Sequence, residues 1–558
     1  MSNDALRRQV ASLVVVRASG HASDRQRRYP RWELTNADLK RLLNSGVGGV
    51  ILLGGTAVEL QQRCRQLRHW AQGPLLLCAD VEEGVGQRFE GGSWLVPPMA
   101  LARLHQLDPE QAEAMAERYG ACTGRQAKQC GMNWVLAPIV DVNNNPANPV
   151  INVRAWGDDP TTVTRLTLAF QRGLNQAGVL GCAKHFPGHG DTAVDSHLQL
   201  PVLPHSRERL EQLELKPFRA CIAAGIDSVM TAHLQIPSLD PDRPATLSKA
   251  VLTGLLRDEM GFEGLVVTDA LVMEAIREHH SAGDAALLAF EAGADLVLMP
   301  EDADAAITAI CAGIESGRIA RERLNASLQR RQQALTRVED CAAQPIGPAM
   351  PEHQAGSELS LDVEQTEDRA LAQTLVELTC ESQGPSIAHR PPHTAINLIR
   401  IDGVLSCPQL PASAPALLLP EQAGFRPLIH HPMAVSIWKE DVWSKGDRSA
   451  PLALDRLGEG PVLLQLFLRG NPFRAGRDQQ EPWAEAIDQL QACQRLAGLV
   501  VYGSPYAWES LRSLLEPTIP AAYSPGQMPE AQHTVMHRLF LADSAHPSTQ
   551  GPGEGFTD

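Results

Sequence analysis

The chain lacks a hydrophobic segment of the length that a membrane span requires. Its 558 residues contain no run of roughly 18 apolar side chains. A short apolar stretch at residues 10–16 follows the first residues, but no small-residue cleavage pattern comes after it. The sequence therefore predicts a protein without a membrane partner, and we expect it to be cytoplasmic.

Paired cysteines and an excess of positive charge are missing as well. None of the 11 cysteines forms a Cys-x-x-Cys pair, and their odd number is typical of free thiols in a reducing compartment. Acidic residues number 65 against 49 lysines and arginines, which gives a net charge of −16. Because nucleic-acid binding needs a basic surface to neutralise phosphates, this charge argues against a nucleic-acid partner.

What the first 300 residues do contain is a repeated alternation of apolar runs and helical patterns. The apolar runs are 13–16, 49–53, 75–79, 133–137, 179–183, 228–231, 264–268 and 295–299. Helical patterns occupy 36–44, 109–129, 160–176, 207–224, 249–259 and 282–292. Short continuous apolar runs are typical of parallel strands buried on both faces, so the alternation predicts an α/β fold with a (β/α)₈ barrel. An open doubly wound sheet is the alternative, although no Gly-x-Gly-x-x-Gly turn follows the first run.

The later part of the chain predicts a second domain. Helical pattern extends over 302–338, and residues 341–361 are rich in Pro, Ala, Gly and Ser, as inter-domain linkers are. We expect a barrel domain at 1–340, a linker at 341–361 and a smaller α/β domain at 362–541. Apolar runs at 394–399, 462–467 and 499–501, with a helical pattern at 482–496, support the smaller domain. The polar tail at 542–558 is predicted to be disordered.

Polar side chains stand where the predicted barrel strands end. In a (β/α)₈ barrel the active site lies at the carboxyl ends of the strands. The residues concerned are Asp80, Arg154, Lys184, His185, His233 and Asp269. Any one of them is compatible with an ordinary solvated loop. Together they predict a functional site at this rim.

The segment 184–197 is the densest in reactive side chains, with three histidines, one lysine and two aspartates. One interpretation is a metal site formed by His185, His189 and His197, although their spacings of four and eight match no helix-borne zinc signature. A second is a purely structural loop. A third is acid/base chemistry by Asp195 and His197, in which the carboxylate fixes the tautomer of the imidazole. The third is favoured.

Asp269 is the other candidate, because it ends the apolar run 264–268. Taken alone, it is better interpreted as the N-cap of a helix starting at Ala270. Taken together with the 184–197 segment, a catalytic nucleophile is the better interpretation.

Several segments resemble the bacterial β-N-acetylglucosaminidases of glycoside hydrolase family 3. The most specific segment is 184–201. It contains Asp195-Ser196-His197, which most β-glucosidases of that family lack. The other segments are 133–138 with 141–143, Met230-Thr231-Ala232-His233, 244–248 and 261–271. Fainter similarity at 502–506 and 521–524 implies that the second domain is the family's C-terminal α/β sandwich.

The resemblance implies a role for each matched residue. Asp269 is the nucleophile, His197 the general acid/base and Asp195 its partner. Sugar hydroxyls are held by Asp80, Arg88, Arg154, Lys184 and His185. The implied enzyme is a retaining exo-glycosidase that needs no metal or other cofactor. It removes terminal β-linked N-acetylhexosamine from a small carbohydrate, often a peptidoglycan fragment.

Other activities remain open at this point. They are a family 3 β-glucosidase, a phosphorylase in which phosphate replaces water, and a non-catalytic sugar-binding barrel; the oligomeric state is left open too. Two departures from the branch bear on the pocket. The segment 81–88 begins Val-Glu-Glu-Gly where the branch usually begins Gln-Glu-Gly-Gly. Asn152 and Trp156 stand where Gly and Phe are commoner. The charged ligands are retained in both segments, and the substitutions predict a pocket of altered shape.

Overall fold

The structure, a computed structural model, describes residues 3–196, 198–342, 363–387, 394–402, 409–439, 450–469 and 481–540. It divides the chain into two units. The first comprises Met1–Thr379 with Arg469–Arg477, and the second comprises Cys380–Leu468 with Asp478–Asp558. The predicted tail at 542–558 lies outside the described residues, as does the predicted linker apart from residues 341 and 342. The predicted domain limits therefore stay a prediction.

The described part of the first unit contains eight parallel strands. They are β1 (Val14–Ser19), β2 (Gly49–Leu53), β3 (Leu76–Ala79), β4 (Trp134–Val135), β5 (Cys182–Phe186), β6 (Ser228–Thr231), β7 (Leu265–Val267) and β8 (Val297–Leu298). Backbone hydrogen bonds join the strands into two arcs of sheet, one in the order β4-β3-β2-β1-β8 and the other in the order β5-β6-β7. Isolated parallel bridges, Trp134 with Leu180 and Val267 with Leu296, connect the two arcs. The strands close into the (β/α)₈ barrel that the sequence predicts.

The helices of the first unit lie between and after these strands, and several begin at a side-chain cap. They are α1 (Asn3–Ala11), α2 (Asn36–Asn44), α3 (Ala57–Trp70), α4 (Met99–Leu107), α5 (Pro109–Gln129), α6 (Pro160–Ala177), α7 (Arg207–Gln212), α8 (Leu215–Ala223), α9 (Glu274–Arg277), α10 (Ala282–Ala292), α11 (Ala303–Glu315), α12 (Arg321–Ala342) and α13 (Thr366–Thr379), with a π-helix at Ala250–Glu259. Asp108 and Asp159 each accept a backbone N–H at the start of α5 and α6, and proline follows both. Gly178, at φ 69°, ends α6.

Two predicted elements are wrong in detail. The fifth strand was expected at 179–183 but is Cys182–Phe186, so Lys184 and His185 lie inside the strand and are buried. The helix expected at 207–224 is two helices, α7 and α8. Pro217 explains the break, because it has no N–H to donate to the carbonyl of Leu213 in a continuous helix.

The second unit contains a six-stranded sheet in the order β11-β10-β12-β13-β14-β9. Its strands are β9 (Glu381–Gln383), β10 (Ile396–Arg400), β11 (Arg426–His430), β12 (Val462–Leu468), β13 (Leu496–Gly503) and β14 (Ala521–Ser524), with helices α14 (Pro415–Ala423), α15 (Trp483–Ala492), α16 (Pro505–Arg512) and α17 (Pro529–Phe540). Only β9 runs antiparallel to its neighbour among these strands. All residues of β10 and β12 are buried, as expected for central strands.

Across both units, no helix of the described residues is long and apolar enough to cross a membrane.

Candidate active site

Four charged side chains form a cluster at the carboxyl ends of β3 and β5. Lys184 Nζ lies 2.7 Å from Asp80 Oδ1 and 2.7 Å from Glu82 Oε1. Arg154 binds both oxygens of Glu82 at 2.8 Å, through Nε and Nη2. Lys184 is only 1% exposed, whereas the Asp80 side chain is 36% exposed. The structure therefore brings together three of the predicted ligands, Asp80, Arg154 and Lys184, around Glu82.

The charges of this cluster hold one another in the ionised state. Burial acts to raise the pKa of Glu82, but Arg154 and Lys184 outweigh it and keep that pKa well below its usual range. Burial likewise acts to lower the pKa of Lys184, but the carboxylates of Asp80 and Glu82 raise it above its usual value. A fixed set of two anions and two cations at the barrel rim is suited to hydrogen bonding with a polyol such as a sugar.

Arg88, another of the predicted sugar ligands, lies beside the cluster. Its Nε donates a hydrogen bond to the backbone carbonyl of Asp80 at 2.9 Å. The backbone conformation of Asn152 helps to position Arg154, two residues later in the chain. Asn152 has φ 42° and donates its backbone N–H to Asn143 Oδ1 at 2.8 Å. Asparagine tolerates this left-handed conformation better than most residues, which fits a position where glycine is commoner in the related branch.

Asp141 is a fully buried carboxylate that organises the start of the loop after β5. It accepts the backbone N–H of His189 at 2.7 Å and that of His185 at 3.1 Å, and it lies 2.8 Å from His185 Nδ1. Burial raises the pKa of Asp141, but the two histidines outweigh this effect and lower it. The charged carboxylate of Asp141 therefore accepts the hydrogen bond that Nδ1 of His185 donates, which fixes the orientation of this ring.

The imidazole of His189 is enclosed by two hydroxyls. Nδ1 lies 2.8 Å from Thr192 Oγ1 and Nε2 lies 2.9 Å from Ser196 Oγ. Asn148 Nδ2 donates to the carbonyls of His189 and Gly190, both at 2.9 Å. Burial lowers the pKa of His189 to about 4, so the ring is neutral at neutral pH. With both nitrogens of His189 so engaged, the geometry argues against the metal-site interpretation of the histidines in this loop.

Asp195 lies near the end of the same loop and is buried. Its backbone carbonyl accepts the N–H groups of Leu198 at 2.9 Å and Gln199 at 3.1 Å. His197 lies outside the described residues, so its pairing with Asp195 stays a prediction.

Asp269 follows β7 and is half-buried at the same rim. Its Oδ1 accepts the N–H of Ala270 at 2.7 Å, but the next helix begins only at Glu274, with Met273 as its N-cap. The alternative interpretation of Asp269 as a helix cap is therefore wrong. An electrostatic interaction between His189 and Asp269 indicates that the loop after β5 lies near the end of β7.

His233, at the end of β6, supports the backbone beside Asp269. Its Nε2 lies 3.1 Å from the carbonyl oxygen of Ala270, and its Nδ1 lies 2.9 Å from Thr246 Oγ1. Since a carbonyl only accepts, Nε2 carries a proton. His233 is completely buried, so its contribution is to hold the chain next to Asp269.

A separate ionic cluster lies where the loop after β5 meets α7. Ligand atoms of Asp191, His205 and Glu214 lie within 4.8 Å of one another, as metal ligands do. Here, however, Arg209 Nη1 donates to both oxygens of Glu214, at 2.9 and 3.1 Å, and His205 Nε2 lies 2.8 Å from Asp191 Oδ2. The guanidinium already supplies the positive charge that these carboxylates face.

Sequence reasoning missed three residues of this site: Glu82, Asp141 and Asn148. Glu82 and Asp141 lie three and four residues beyond the apolar runs 75–79 and 133–137, so attention to the first polar residue after each run overlooks them. Asp141 lies in the segment 141–143, which is one of those that resemble the family, so the resemblance could have identified it. Nothing in the local sequence marks Asn148.

Comparison with known proteins identifies two family domains. The model described as "Glycosyl hydrolase family 3 N terminal domain" matches residues 5–334. The model described as "Bacterial Glycosyl hydrolase family 3 C-terminal domain" matches residues 389–541.

Individual relatives match part or nearly all of the chain. Beta-hexosaminidase A of Pseudoalteromonas piscicida is 36% identical over 307 residues, or 51% of this chain, and the chain spans only half of that protein, 50%. A beta-hexosaminidase of Stenotrophomonas maltophilia (strain K279a) is 37% identical over 287 residues, covering 50% of this chain and 84% of the relative. The solved structure of a glycoside hydrolase family 3 beta-N-acetylglucosaminidase from Paenibacillus sp. str. FPU-7 has a TM-score of 0.71 at 29% identity and covers 96% of both chains.

Proposed function

The chain belongs to glycosyl hydrolase family 3, and on this basis we propose that it is a retaining exo-glycosidase that releases terminal β-linked N-acetylglucosamine. The observation that carries the proposal is the ionic cluster in which Lys184 and Glu82 are buried, Arg154 pairs with Glu82, and Asp80 is more exposed. Such a cluster offers fixed donors and acceptors to the hydroxyls of one terminal sugar, at the rim where barrel enzymes act. The preference for an N-acetylated sugar is supported by the names of the relatives, beta-hexosaminidases and a beta-N-acetylglucosaminidase.

In the proposed mechanism the reaction proceeds in two displacements. Asp269 attacks the anomeric carbon and forms a glycosyl-enzyme, while protonated His197 gives its proton to the leaving oxygen. Neutral His197 then takes a proton from water, which attacks the anomeric carbon and frees Asp269. Retaining glycosidases usually use two carboxyl groups for these steps. An imidazole suits both steps, because its ordinary pKa lies near neutrality.

Asp195 is proposed to orient His197 and to stabilise its protonated form. The carboxylate would act as the acidic partner does in other acid/base pairs, by fixing the ring tautomer. Asp80, Arg88, Arg154, Lys184 and His185 are proposed to bind the sugar. We further propose that the natural substrate is a fragment of peptidoglycan that ends in N-acetylglucosamine.

The decisive experiment distinguishes three activities by four reactions of the full chain. 4-Nitrophenyl N-acetyl-β-glucosaminide and 4-nitrophenyl β-glucoside are each offered with and without inorganic phosphate, and the sugar product is identified. We expect the first to be hydrolysed faster, with free N-acetylglucosamine as product in both buffers. A sugar 1-phosphate product would instead identify a phosphorylase, and preference for the glucoside a β-glucosidase. The Asp269→Ala variant should fold normally and turn over neither substrate; near-native turnover would contradict the assignment of the nucleophile.

A further inference from the structure

The loop that follows β1 is basic, although the protein as a whole carries a net charge of −16. Between its two acidic residues, Asp24 and Glu33, this loop carries four arginines: Arg25, Arg27, Arg28 and Arg31. Arg28 and Arg31 are exposed to solvent. A basic surface of this kind attracts anions.

Two aromatic rings hold guanidinium groups in this loop. The rings of Tyr29 and Trp32 lie 5.9 Å apart between centroids. Cζ of Arg28 lies 5.6 Å from the ring centroid of Tyr29, and Cζ of Arg31 lies 5.9 Å from the ring centroid of Trp32. Arg17, a residue of β1, lies 5.2 Å from the first ring and 5.8 Å from the second. Cation–π attraction at these distances orders long side chains that would otherwise be free to move.

The backbone of the loop is fixed as well. The buried Glu33 accepts the N–H of Tyr29 through Oε2 at 2.9 Å, and its carbonyl accepts Arg27 Nη1 at 2.8 Å. The N–H of Leu34 donates to the carbonyl of Arg17 at 3.1 Å. Tyr29 and its neighbouring arginines are therefore presented on a rigid support, which reduces the entropy lost when a ligand binds.

The position of the loop connects it with the candidate active site. It leaves the carboxyl end of β1, the barrel end at which Asp80 and Asp269 also stand. Arg17 interacts electrostatically with Asp80 and Arg88, which lie beyond β3. Arg31 interacts electrostatically with Glu274, the first residue of the helix after Asp269. The arginines thus lie at the barrel end that carries the candidate site.

We propose that Arg28 and Arg31, held by Tyr29 and Trp32, bind a carboxylate on the aglycone, the part of the substrate that leaves. The inference rests on the proposed function, since an exo-glycosidase buries the terminal sugar and leaves the aglycone at the rim. The planar guanidinium group matches a carboxylate with two parallel N–H donors, which makes arginine a selective ligand for it. The loop therefore gives the enzyme a preference for acidic saccharides.

The test uses three disaccharides that end in the same sugar. They are N-acetylglucosaminyl-β-1,4-N-acetylmuramic acid, its methyl ester, and the uncharged dimer of N-acetylglucosamine. For the full chain we expect kcat/KM about tenfold higher for the acid than for the ester, and a decrease of this ratio at high salt because the charges are exposed. In the Arg28→Ala/Arg31→Ala variant the ratio should fall to about one.

A double variant of equal charge provides the control. Arg25 lies in the same loop and Arg65 on α3, and both are exposed. The Arg25→Ala/Arg65→Ala variant should keep the tenfold ratio. If it loses the ratio as fully as the Arg28→Ala/Arg31→Ala variant does, general surface charge explains the preference and the loop proposal is overturned.

Binding measured without turnover separates this proposal from the proposed function. Calorimetric titration of the Asp269→Ala variant with the acid and with the ester should give a tenfold lower Kd for the acid. Equal Kd values would overturn the role of the loop. Failure of the native chain to cleave any of the three disaccharides would overturn the proposed activity instead.

Discussion

At the scale of the residue, Glu82 is where the charges of the candidate site converge. It accepts two hydrogen bonds from Arg154 and forms an ion pair with Lys184. Glu82 and Lys184 are buried, and the Arg154 side chain is 16% exposed. A buried charge that loses its partner is far more costly than an exposed one. The two cations therefore depend on this carboxylate more than on Asp80, which is partly exposed.

Replacing Glu82 with Gln should leave Arg154 and Lys184 buried with too little negative charge. We expect the free energy of unfolding of the first unit to fall by about 3–5 kcal/mol. A displaced Lys184 should lower kcat/KM on the order of 100-fold. Calorimetry and assays with 4-nitrophenyl N-acetyl-β-glucosaminide measure the two effects. The exposed Glu263→Gln is the matched control, and equal behaviour of both variants would contradict the role of Glu82.

The pH dependence of stability follows from the depressed pKa of Glu82. Since the folded-state pKa lies below the unfolded value of about 4.3, the stabilisation is complete above that value. It is then lost as the pH falls through the folded pKa. Unfolding curves of the native chain and Glu82→Gln should differ by a constant amount from pH 7 to 5 and converge below about 4.3. Convergence already near pH 6 would count against this assignment.

The prediction for His197 concerns its proposed role as acid. His197→Ala should slow substrates with poor leaving groups much more than 4-nitrophenyl substrates, because good leaving groups depart with little protonation. We expect on the order of 100- to 10,000-fold loss for a disaccharide, the range of general acid catalysis. Equal losses for both kinds of substrate, measured as kcat/KM, would remove His197 from this role.

The residues of the site were only partly predictable. Asp80 and Lys184 could be found because each stands beside an apolar run. The neighbours Glu82 and Glu83 look alike in the sequence, yet one pairs with Arg154 and Lys184 and the other with Arg469. Which way each side chain points depends on the local turn and on partners distant in the sequence, and composition or spacing carries neither.

At the scale of the element, the loop after β5 depends on close contact between two backbone segments. A Cβ added at Gly190 would lie 1.8 Å from the carbonyl oxygen of Val142. This glycine lets the loop approach the chain that carries Asp141. The contact fixes His189 and its hydrogen-bond partners relative to the barrel.

Gly190→Ala should therefore displace the loop while the barrel remains folded. We expect kcat/KM to fall on the order of 100-fold, because small displacements of catalytic groups have effects of that size. Far-UV circular dichroism should be unchanged. Gly73→Ala is the control, since nothing lies within 4 Å of a Cβ built there. An active Gly190→Ala variant would show that the close approach is not needed.

Elements with clear ends were predicted well and short strands were not. The limits of α2, α5 and α10 agree with the sequence because Thr35, Asp108 and Ser281 cap them. By contrast β5 was placed three residues early, because Lys184 and His185 looked like loop residues. The charge of Lys184 is tolerated inside a strand because Asp80 and Glu82 compensate it, and the ring of His185 is held by Asp141. No local pattern reveals these partners.

At the scale of the whole molecule, the first unit is built from two distant parts of the chain. Arg469 belongs to this unit although 89 residues of the second unit precede it. Arg469 Nη1 donates to Glu83 Oε2 at 2.8 Å, and Trp94 Nε1 donates to the same oxygen at 3.0 Å. Glu83 is completely buried, so Arg469 compensates a carboxylate that has no access to water.

Removing Arg469 should destabilise the first unit through this carboxylate. Arg469→Ala in the full chain is expected to lower its free energy of unfolding by about 3–5 kcal/mol. Glu83→Gln in that background should recover most of the loss, because it removes the uncompensated charge. Calorimetry of the four chains of this double-mutant cycle measures the coupling, and additive effects would contradict a direct pairing.

The separation of these two partners has a consequence for synthesis on the ribosome. Glu83 and Arg469 are 386 residues apart, and at about 5–20 residues per second the cation arrives roughly 20–80 s after the anion. During that interval a nascent barrel that closes lacks the guanidinium that compensates the Glu83 carboxylate. The pairing of Glu83 with Arg469 is thus formed only after the whole segment between the two residues has been synthesised.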